Sequence, residues 1–332
     1  MIEINLQNLP VLLRRNQQFL GRELLTRGGQ VFLVDKPSQT LLAKLGQQEE
    51  LFQEINSRLM PHTLMQISAN KMLCRDILMQ NSISVPAGAC FELSALAQII
   101  PYAYSLDFPV VLKPNWGTQG NLVFANITSA ADLYEACLYA SASAGDSAKF
   151  LVEKKFIGNE YRILLFKSGQ YAALRRDPAS IIGDGELSIE GLVKKESERR
   201  VADESTCLCP IPLDYIVESY LKQQGLTLES IPQMGQSIQL RDNSNIYTGG
   251  FATDVTDSVH PAFISELQKI FDIFLGLPYV GIDLMTKDIA QYSTEYVVLE
   301  LNTMPAIGPH HAPAAGQARN VAKWFVDLVF DT

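Results

Sequence analysis

The chain reads as an α+β protein, and three observations predict this class. Short apolar strands and amphipathic helices follow one another without strict βαβ alternation, a pattern that suggests α+β subdomains around a cleft. The 332 residues are 47% hydrophobic and 19% charged, enough for a globular protein with a real core in one large domain or two to three small ones. Two late apolar strands, "YVGIDLM" and "EYVVLELN", carry polar residues where a buried strand would not be expected to hold them.

The elements follow in order. "VLLRRNQQFLGRELLTRGG" has helical apolar spacing and ends in Gly28-Gly29, a C-cap signal, and "QVFLVD" reads as a strand. Residues 1–65 therefore form a short α/β unit, and 66–332 the main domain. "SANKMLCRDILMQNSISVPAG" is a helix opened by Ser68 and closed before Pro86. "FPVVLKP" is a strand, "NWGTQGNLVFANI" a loop running into a strand, and "TSAADLYEACLYASAS" a helix capped by Thr128 or Ser129. "KFLVEKKFIGNEYRILLFKSGQYAALRR" gives strand, link, strand, a tight turn at Ser168-Gly169 and a strand. The more polar stretch 183–235 holds "KKESERR", read as a solvated helix face, and a helix near "LDYIVESYLKQQG". "HPAFISELQKIFDIFLG" and "GQARNVAKWFVDLVF" read as helices around the last two strands.

Composition removes several function classes. A net charge of −9 argues against a general nucleic-acid surface. No run of 18 apolar residues suggests a membrane partner, and the first residues lack a signal-peptide pattern, so a cytoplasmic location is expected. The five cysteines are scattered except for "CLC" at 207–209, and free thiols suit them better than a zinc site.

The stretch "YVVLELNTMPAIGPHHAP" places Glu300 and Asn302 two apart on a strand, so both point to one face. With Asp283 on the neighbouring strand they offer hard oxygen donors suited to Mg²⁺. Taken alone, a strand-end carboxylate facing solvent is the simpler reading. Gly117 and Gly120 in "GTQGN" follow a strand ending in Lys113, a combination that can approach phosphates but is no Walker motif. Glu153 and Glu160 flank a link between strands, able to offer backbone groups to an adenine and a carboxylate to ribose hydroxyls. Arg162, Arg175, Arg176 and Arg241 suit carboxylates or phosphates, although singly each also fits a surface ion pair.

The order of these features resembles the ATP-grasp superfamily of carboxylate–amine ligases, nearest to the ATP-grasp modules of cyanophycin synthetase and of the bifunctional glutamate–cysteine ligase/glutathione synthetase. The resembling phrases include "NKMLCRDIL", "FPVVLKP", "VEKKFIGNEYRIL", "LRDNSNIYTGGFATDVTDSVHP", "GIDLM", "LELN" and "HHAPAAGQARNVA", and they cover about residues 68–325. The resemblance implies an ATP-grasp fold, two α+β subdomains clasping ATP, with the clasping subdomain at about 86–155. It implies that Lys71 and Lys113 hold the α- and β-phosphates. Glu153 and the Lys154, Lys155 and Phe156 link would then take the adenine, and Glu160 the ribose. Asp283, Glu300 and Asn302 would ligate Mg²⁺, with Mn²⁺ as a substitute. Arg241 would steady the γ-phosphate. Arg162, Arg176, Asn245, His310, His311 and Arg319 would border an amino-acid or peptide substrate.

The implied chemistry is phosphorylation of a carboxylate followed by displacement by an amine, which needs charge neutralisation and alignment rather than a dedicated nucleophile. One residue departs from the pattern: Leu122 stands where the family's glycine loop usually has glycine, and leucine resists positive φ. That departure keeps a non-catalytic nucleotide-binding module open beside the ligase, and a small-molecule kinase would share the same phosphate machinery. The donor, the acceptor and the oligomeric state, a homodimer among the options, are left open.

Overall fold

A computed structural model describes residues 1–117, 120–203 and 205–330. The N-terminal unit is antiparallel throughout. Strands β1 (Ile2–Ile4), β2 (Gln30–Asp35), β3 (Thr40–Leu45) and β4 (Gln48–Gln53) pair in sequence order. The helix Arg15–Thr26 buries Leu20 and Leu24 against Val31, Leu41 and Phe52, and Gly28 ends it at φ +79°, where a side chain would be strained. This core is continuous with that of the large sheet. Phe52 meets Phe330 of the closing helix, and the Tyr279 hydroxyl donates to Asn56 Oδ1 at 2.8 Å.

A second antiparallel sheet is built from β5 (Gly88–Glu92), β6 (Val110–Pro114), β7 (Phe124–Ile127) and β8 (Lys149–Lys154), in the order β5-β8-β6-β7. The helices Leu96–Ser105 and Ala130–Ala144 close it over a core of its own that includes Ile99, Leu112, Leu133, Phe150 and Val152. Ser129 caps the second helix by accepting from the Asp132 N–H.

The third sheet lines the cleft. β9 (Asn159–Phe166) and β10 (Tyr171–Asp177) form a hairpin, with Gly169 at φ +94° in the turn. A small ribbon of β11 (Ser180–Ile182) and β12 (Ser237–Gln239) follows. β13 (Phe251–Asp254), β14 (Tyr279–Thr286) and β15 (Tyr296–Asn302) complete a five-stranded antiparallel order β13-β10-β9-β14-β15. No helix among the described residues is long and apolar enough to cross a membrane.

Several elements differ from the sequence reading. The helix expected to open at Ser68 is two helices, His62–Ala69 and Lys71–Gln80. Asn70 separates them, its side chain accepting from the Leu73 N–H as a cap, so Ser68 belongs to the end of the first helix. The stretch 261–273 breaks at Lys269 into Pro261–Gln268 and Ile270–Ile273. The closing helix starts only at Val321. "KKESERR" lies on a helix, Ile189–Ala202, but not wholly in solvent, because Arg200 is 1% exposed. Its Nη1 donates to Gly249 O at 2.7 Å and Cys209 O at 3.0 Å, its Nε pairs with Glu196, and its guanidinium stacks 4.6 Å from the Phe251 ring centre.

Candidate active-site cleft

A cleft of about 1490 Å³ opens between the second and third sheets and reaches the N-terminal unit. Its floor follows from strand register. Arg162 lies opposite Asp283 and Asp283 opposite Glu300, while Arg176 lies opposite Glu160. Directly opposed residues share a face of the sheet, so these five side chains and Asn302 are presented together. A register slip of one residue would turn the whole set away from the cleft.

The Asp283 carboxylate is 7% exposed and receives both Arg162, as a forked pair, and Arg176 at 2.9 Å. Arg176 also pairs with Glu160. Burial opposes the charge on Asp283, but Arg162 and Arg176 overcome it and hold the carboxyl at about 2. Burial likewise opposes the charge on Arg176, and Asp283 and Glu160 more than restore it. Glu300 is placed differently. Burial pushes its pKa up, Lys71 pulls against this at 3.7 Å, and the nearby Asp283 pushes further up.

The lysines come from the other wall. Lys71 starts its helix and donates from Nζ to Gly117 O at 2.7 Å. Asn115 fastens that helix start to the end of β6, its Oδ1 accepting from the Met72 N–H and its Nδ2 donating to Asn70. Lys113 and Glu153, diagonal neighbours on β6 and β8 two residues apart in register, pair at 2.6 Å with both side chains buried. In the link after β8, the N–H groups of Lys154 and Lys155 are taken by Ala87 O and Pro109 O, and Lys155 Nζ pairs with Asp242 at 2.7 Å. Phe156 continues the same wall.

The glycine loop reaches across the cleft, where a Cβ on Gly120 would meet Asn245 at 3.2 Å. Gly120 has φ +73° and Leu122 φ +54°. The leucine thus adopts the left-handed backbone that glycine would favour, and its half-buried side chain packs against the core of the second sheet. Thr118 and Gln119 of this loop lie outside the described residues.

Lys71, Lys113, Gly117, Gly120, Glu153, Lys154, Lys155, Phe156, Glu160, Arg162, Arg176, Asn245, Asp283, Glu300 and Asn302 all line the cleft. Four other expected site residues do not, and each has a physical reason. Arg241 is 1% exposed and spends its charge on Asp214 at 2.7 Å, the cap of the helix Tyr215–Gln223. Arg319 pairs with Asp254 and Asp257 at 2.8 and 2.7 Å. His311 stacks on Phe19 at 4.2 Å and accepts from the Ala322 N–H. His310 is wholly buried with neither ring nitrogen partnered among the described residues, and burial followed by nearby Arg162 pushes its pKa down to about 3. Burial also lowers His311, to about 4.

Sequence reasoning missed the cleft's far end. Arg14, Arg15, Asn16 and Glu54 of the N-terminal unit line it, as do Arg200, Cys207, Cys209, Asn243 and Tyr247. Asn16 Oδ1 accepts from the Ile307 and Gly308 N–H groups, tying the N-terminal unit to the loop that leaves β15. The one available signal was the doublet Arg14-Arg15 at a helix start, which the helix dipole does not favour.

No family model matches the chain. It is 35% identical over 272 residues to the glutathione biosynthesis bifunctional protein GshAB of Clostridium perfringens, covering 80% of this chain and 34% of that protein. It is 33% identical over 270 residues to a cyanophycin synthetase of Geminocystis herdmanii, covering 80% and 30%. The crystal structure of a bifunctional glutathione synthetase from Pasteurella multocida superposes with a TM-score of 0.64 at 28% identity, covering 95% of this chain and 44% of that one. The chain thus spans about a third of the length of the first two relatives.

Proposed function

Because the chain belongs to the ATP-grasp superfamily, on the side of GshAB and cyanophycin synthetase, we propose that it is an ADP-forming carboxylate–amine ligase acting on amino-acid or short-peptide substrates. The observation that carries this reading is the face shared by Glu160, Arg162, Arg176, Asp283, Glu300 and Asn302, with Lys71 and Lys113 opposite. Residues 66–332 would form the ATP-grasp unit and about 86–155 its clasping part.

In this reading Lys71 and Lys113 neutralise the ATP phosphates. The strand-to-strand link Lys154–Phe156 and Glu153 border the base, and Glu160 the ribose. Arg162 and Arg176 are held rigid by Asp283, so their charge is aimed before substrate arrives. Such preorganised charge is what phosphoryl transfer to a carboxylate requires. The acyl phosphate so formed is then attacked by a neutral amine, and phosphate leaves.

Mg²⁺ fits the donor set. Asp283 and Glu300 face each other across two strands, and burial, with Asp283 adding to it, raises Glu300 against the pull of Lys71, so a divalent cation would favour its charged form. Among the described residues no cluster of three or more His, Cys, Asp or Glu forms a metal site, so the set is two carboxylates and the Asn302 amide. Asp283 is already engaged by two arginines, which leaves Glu300 and Asn302 as the nearer ligands. The ion would supply charge neutralisation at the phosphate oxygens.

Phosphate release from the purified protein, measured with Mg²⁺-ATP over pairs of amino acids and dipeptides and followed by mass spectrometry, tests the ligase. ADP release that needs two substrates, with an amide product, is expected. A phosphorylated hydroxyl product would favour a kinase, and nucleotide binding without turnover over the panel a non-catalytic module.

A further inference from the structure

The far end of the cleft carries cations that the phosphoryl transfer proposed above does not use. Arg14 is the cap and Arg15 the first residue of the helix Arg15–Thr26. Both line the cleft and both are exposed, so a solute in the cleft can reach them. That helix has no acidic residue in its first turn, and basic groups there oppose its dipole. Helix stability therefore does not account for the pair.

The two arginines differ in what they touch. Arg14 Nη1 pairs with Glu54 at 2.7 Å and its Nη2 donates to Pro37 O at 3.1 Å, so its charge is answered within the N-terminal unit. Arg15 leans on cleft residues from elsewhere in the chain. It hydrogen-bonds the Cys207 side chain, pulling down a thiol pKa that burial pushes up. A Cβ on Gly308 would stand 3.0 Å from Cys207 Sγ, 3.4 Å from Asn16 Oδ1 and 3.5 Å from Arg15 Cγ, so these four residues meet at one point of the cleft lining. Asn16 Oδ1 fastens the point by accepting from the Ile307 and Gly308 N–H groups at 3.1 and 3.0 Å. The Arg15 guanidinium lies 5.2 Å from the centre of the Phe19 ring, which in turn stacks on His311. Stacking engages the flat face of a guanidinium, while its N–H groups lie in the plane, where carboxylates meet them.

Tyr247 connects this point to the sheet face. It lines the cleft and is 49% exposed. Partial burial raises its hydroxyl pKa, Cys209 and Glu54 add to the rise, and Arg162 opposes it. One cleft side chain is thus within electrostatic reach of both the strand floor and the N-terminal unit.

We propose that Arg15 is a specificity-determining residue, which binds a carboxylate of the substrate other than the one that is phosphorylated. The substrate then lies past Tyr247, between Arg15 and Arg162. Arg15 is separate from the phosphate-facing set, since it meets Cys207 and Gly308 whereas Lys71 reaches Gly117 O and Glu300. A free amino acid or peptide carries such a second carboxylate, and an arginine at the cleft end would reject its amide. That the bound carboxylate belongs to a substrate rests on the ligase reading. That Arg15 binds carboxylate at this end of the cleft does not.

The test uses the full chain with Mg²⁺-ADP present, so that the nucleotide end is filled. Glycylglycine is the probe and glycylglycinamide its match without the carboxylate. ¹⁵N–¹H spectra of the arginine side chains follow the Arg15 Nε resonance, assigned by its loss in Arg15→Met. A saturable shift of that resonance by glycylglycine is expected, with affinity for glycylglycinamide lower by about tenfold or more. Arg15→Met, which keeps an unbranched stem over Phe19 and is checked for folding by thermal melting, should bind both probes equally weakly by calorimetry. Its affinity for Mg²⁺-ADP should be unchanged. Equal binding of the two probes by the native protein, no saturable shift at Arg15, or a preference for the acid that survives in Arg15→Met would each overturn the proposal. Failure of turnover over the substrate panel, with the acid preference present in the native protein and lost in Arg15→Met, would strike the ligase reading alone.

Discussion

Two groups of charged residues answer the same description in the sequence and part company in the fold. Arg162, Arg176 and Asp283 lie on adjacent strands in register and converge on the cleft. Arg241, Arg319, His310 and His311 come from loops and short turns, and each is absorbed by packing. The first group pairs internally and still faces a cavity. Arg241 and Arg319 pair with Asp214, Asp254 and Asp257, His311 stacks on Phe19, His310 is buried with neither ring nitrogen partnered among the described residues, and none of the four lines the cleft. An arginine fork suits a protein carboxylate as well as a substrate carboxylate, so residue type does not separate the two fates. Strand register does.

The largest expected effect breaks the first group. Glu300→Gln removes the carboxylate that faces Asp283 across the strands and Lys71 across the cleft. Turnover should fall by roughly 10²–10³-fold, the size of effect seen when one preorganised charge-stabilising group is removed from an active site. Thermal unfolding should hardly change, since Glu300 is raised by burial and its neutral form is no worse a neighbour for Asp283. Undiminished turnover at saturating Mg²⁺ would remove Glu300 from the site.

The second effect tests whether the histidines are core residues. Both have folded pKa values below the unfolded one, about 3 for His310 and about 4 for His311. The unfolded chain therefore binds more protons below about pH 6.5, and stability present above that pH is lost as pH falls toward 4. From pH 7 to 5 each histidine should cost about 2 kcal/mol. His310→Leu also removes a buried ring N–H that has no partner, so it should flatten the profile by one histidine's share and raise stability at pH 5. Urea melts at the two pH values measure this, and an unaltered pH dependence in the variant would return His310 to the list of cleft residues.

Much of the site was legible because a strand of alternating residues specifies a face. Glu300-x-Asn302 could be placed on one surface by period alone, and Asp283, in an apolar run of the preceding strand, joins them through register. Lys113 followed from its place at the end of an apolar strand. What could not be read was long-range closure. Nothing local says that Asp214 will meet Arg241 from 27 residues away, or Asp254 meet Arg319 from 65. The far end of the cleft was hidden for the same reason, since Asn16 reaches Ile307 and Gly308 across nearly the whole chain. The Ser68 helix start failed on a smaller matter: two helices abut, and the cap is the asparagine between them.

A third prediction breaks the second group. Arg319→Ala strands Asp254, whose side chain is 5% exposed, and should cost about 2 kcal/mol of stability. ATP affinity should be unchanged, because Arg319 lines no part of the cleft. A denaturation curve and a nucleotide titration on the same preparation separate the two, and weakened ATP binding without lost stability would reverse the assignment.

The smallest effect is expected at Leu122, and its smallness is informative. Two terms of opposite sign meet there. Left-handed backbone costs a non-glycine residue about 1–2 kcal/mol, and Leu122 has φ +54°. Its half-buried side chain packs against the core of the second sheet, which returns about 1 kcal/mol of the 1.5–3 available for full burial. Leu122→Gly relieves the strain, loses the packing and makes the unfolded chain more flexible, which costs up to about 1 kcal/mol more. The sum is a change of stability within about 1 kcal/mol. The effect on nucleotide should be a modest weakening, because a looser loop loses more entropy on closing over ATP. If the leucine were a lesion in a decayed enzyme, glycine would instead tighten ATP binding and speed turnover together. Titration of ATP against both proteins, with turnover measured in parallel, distinguishes a leucine held by its packing from one merely tolerated.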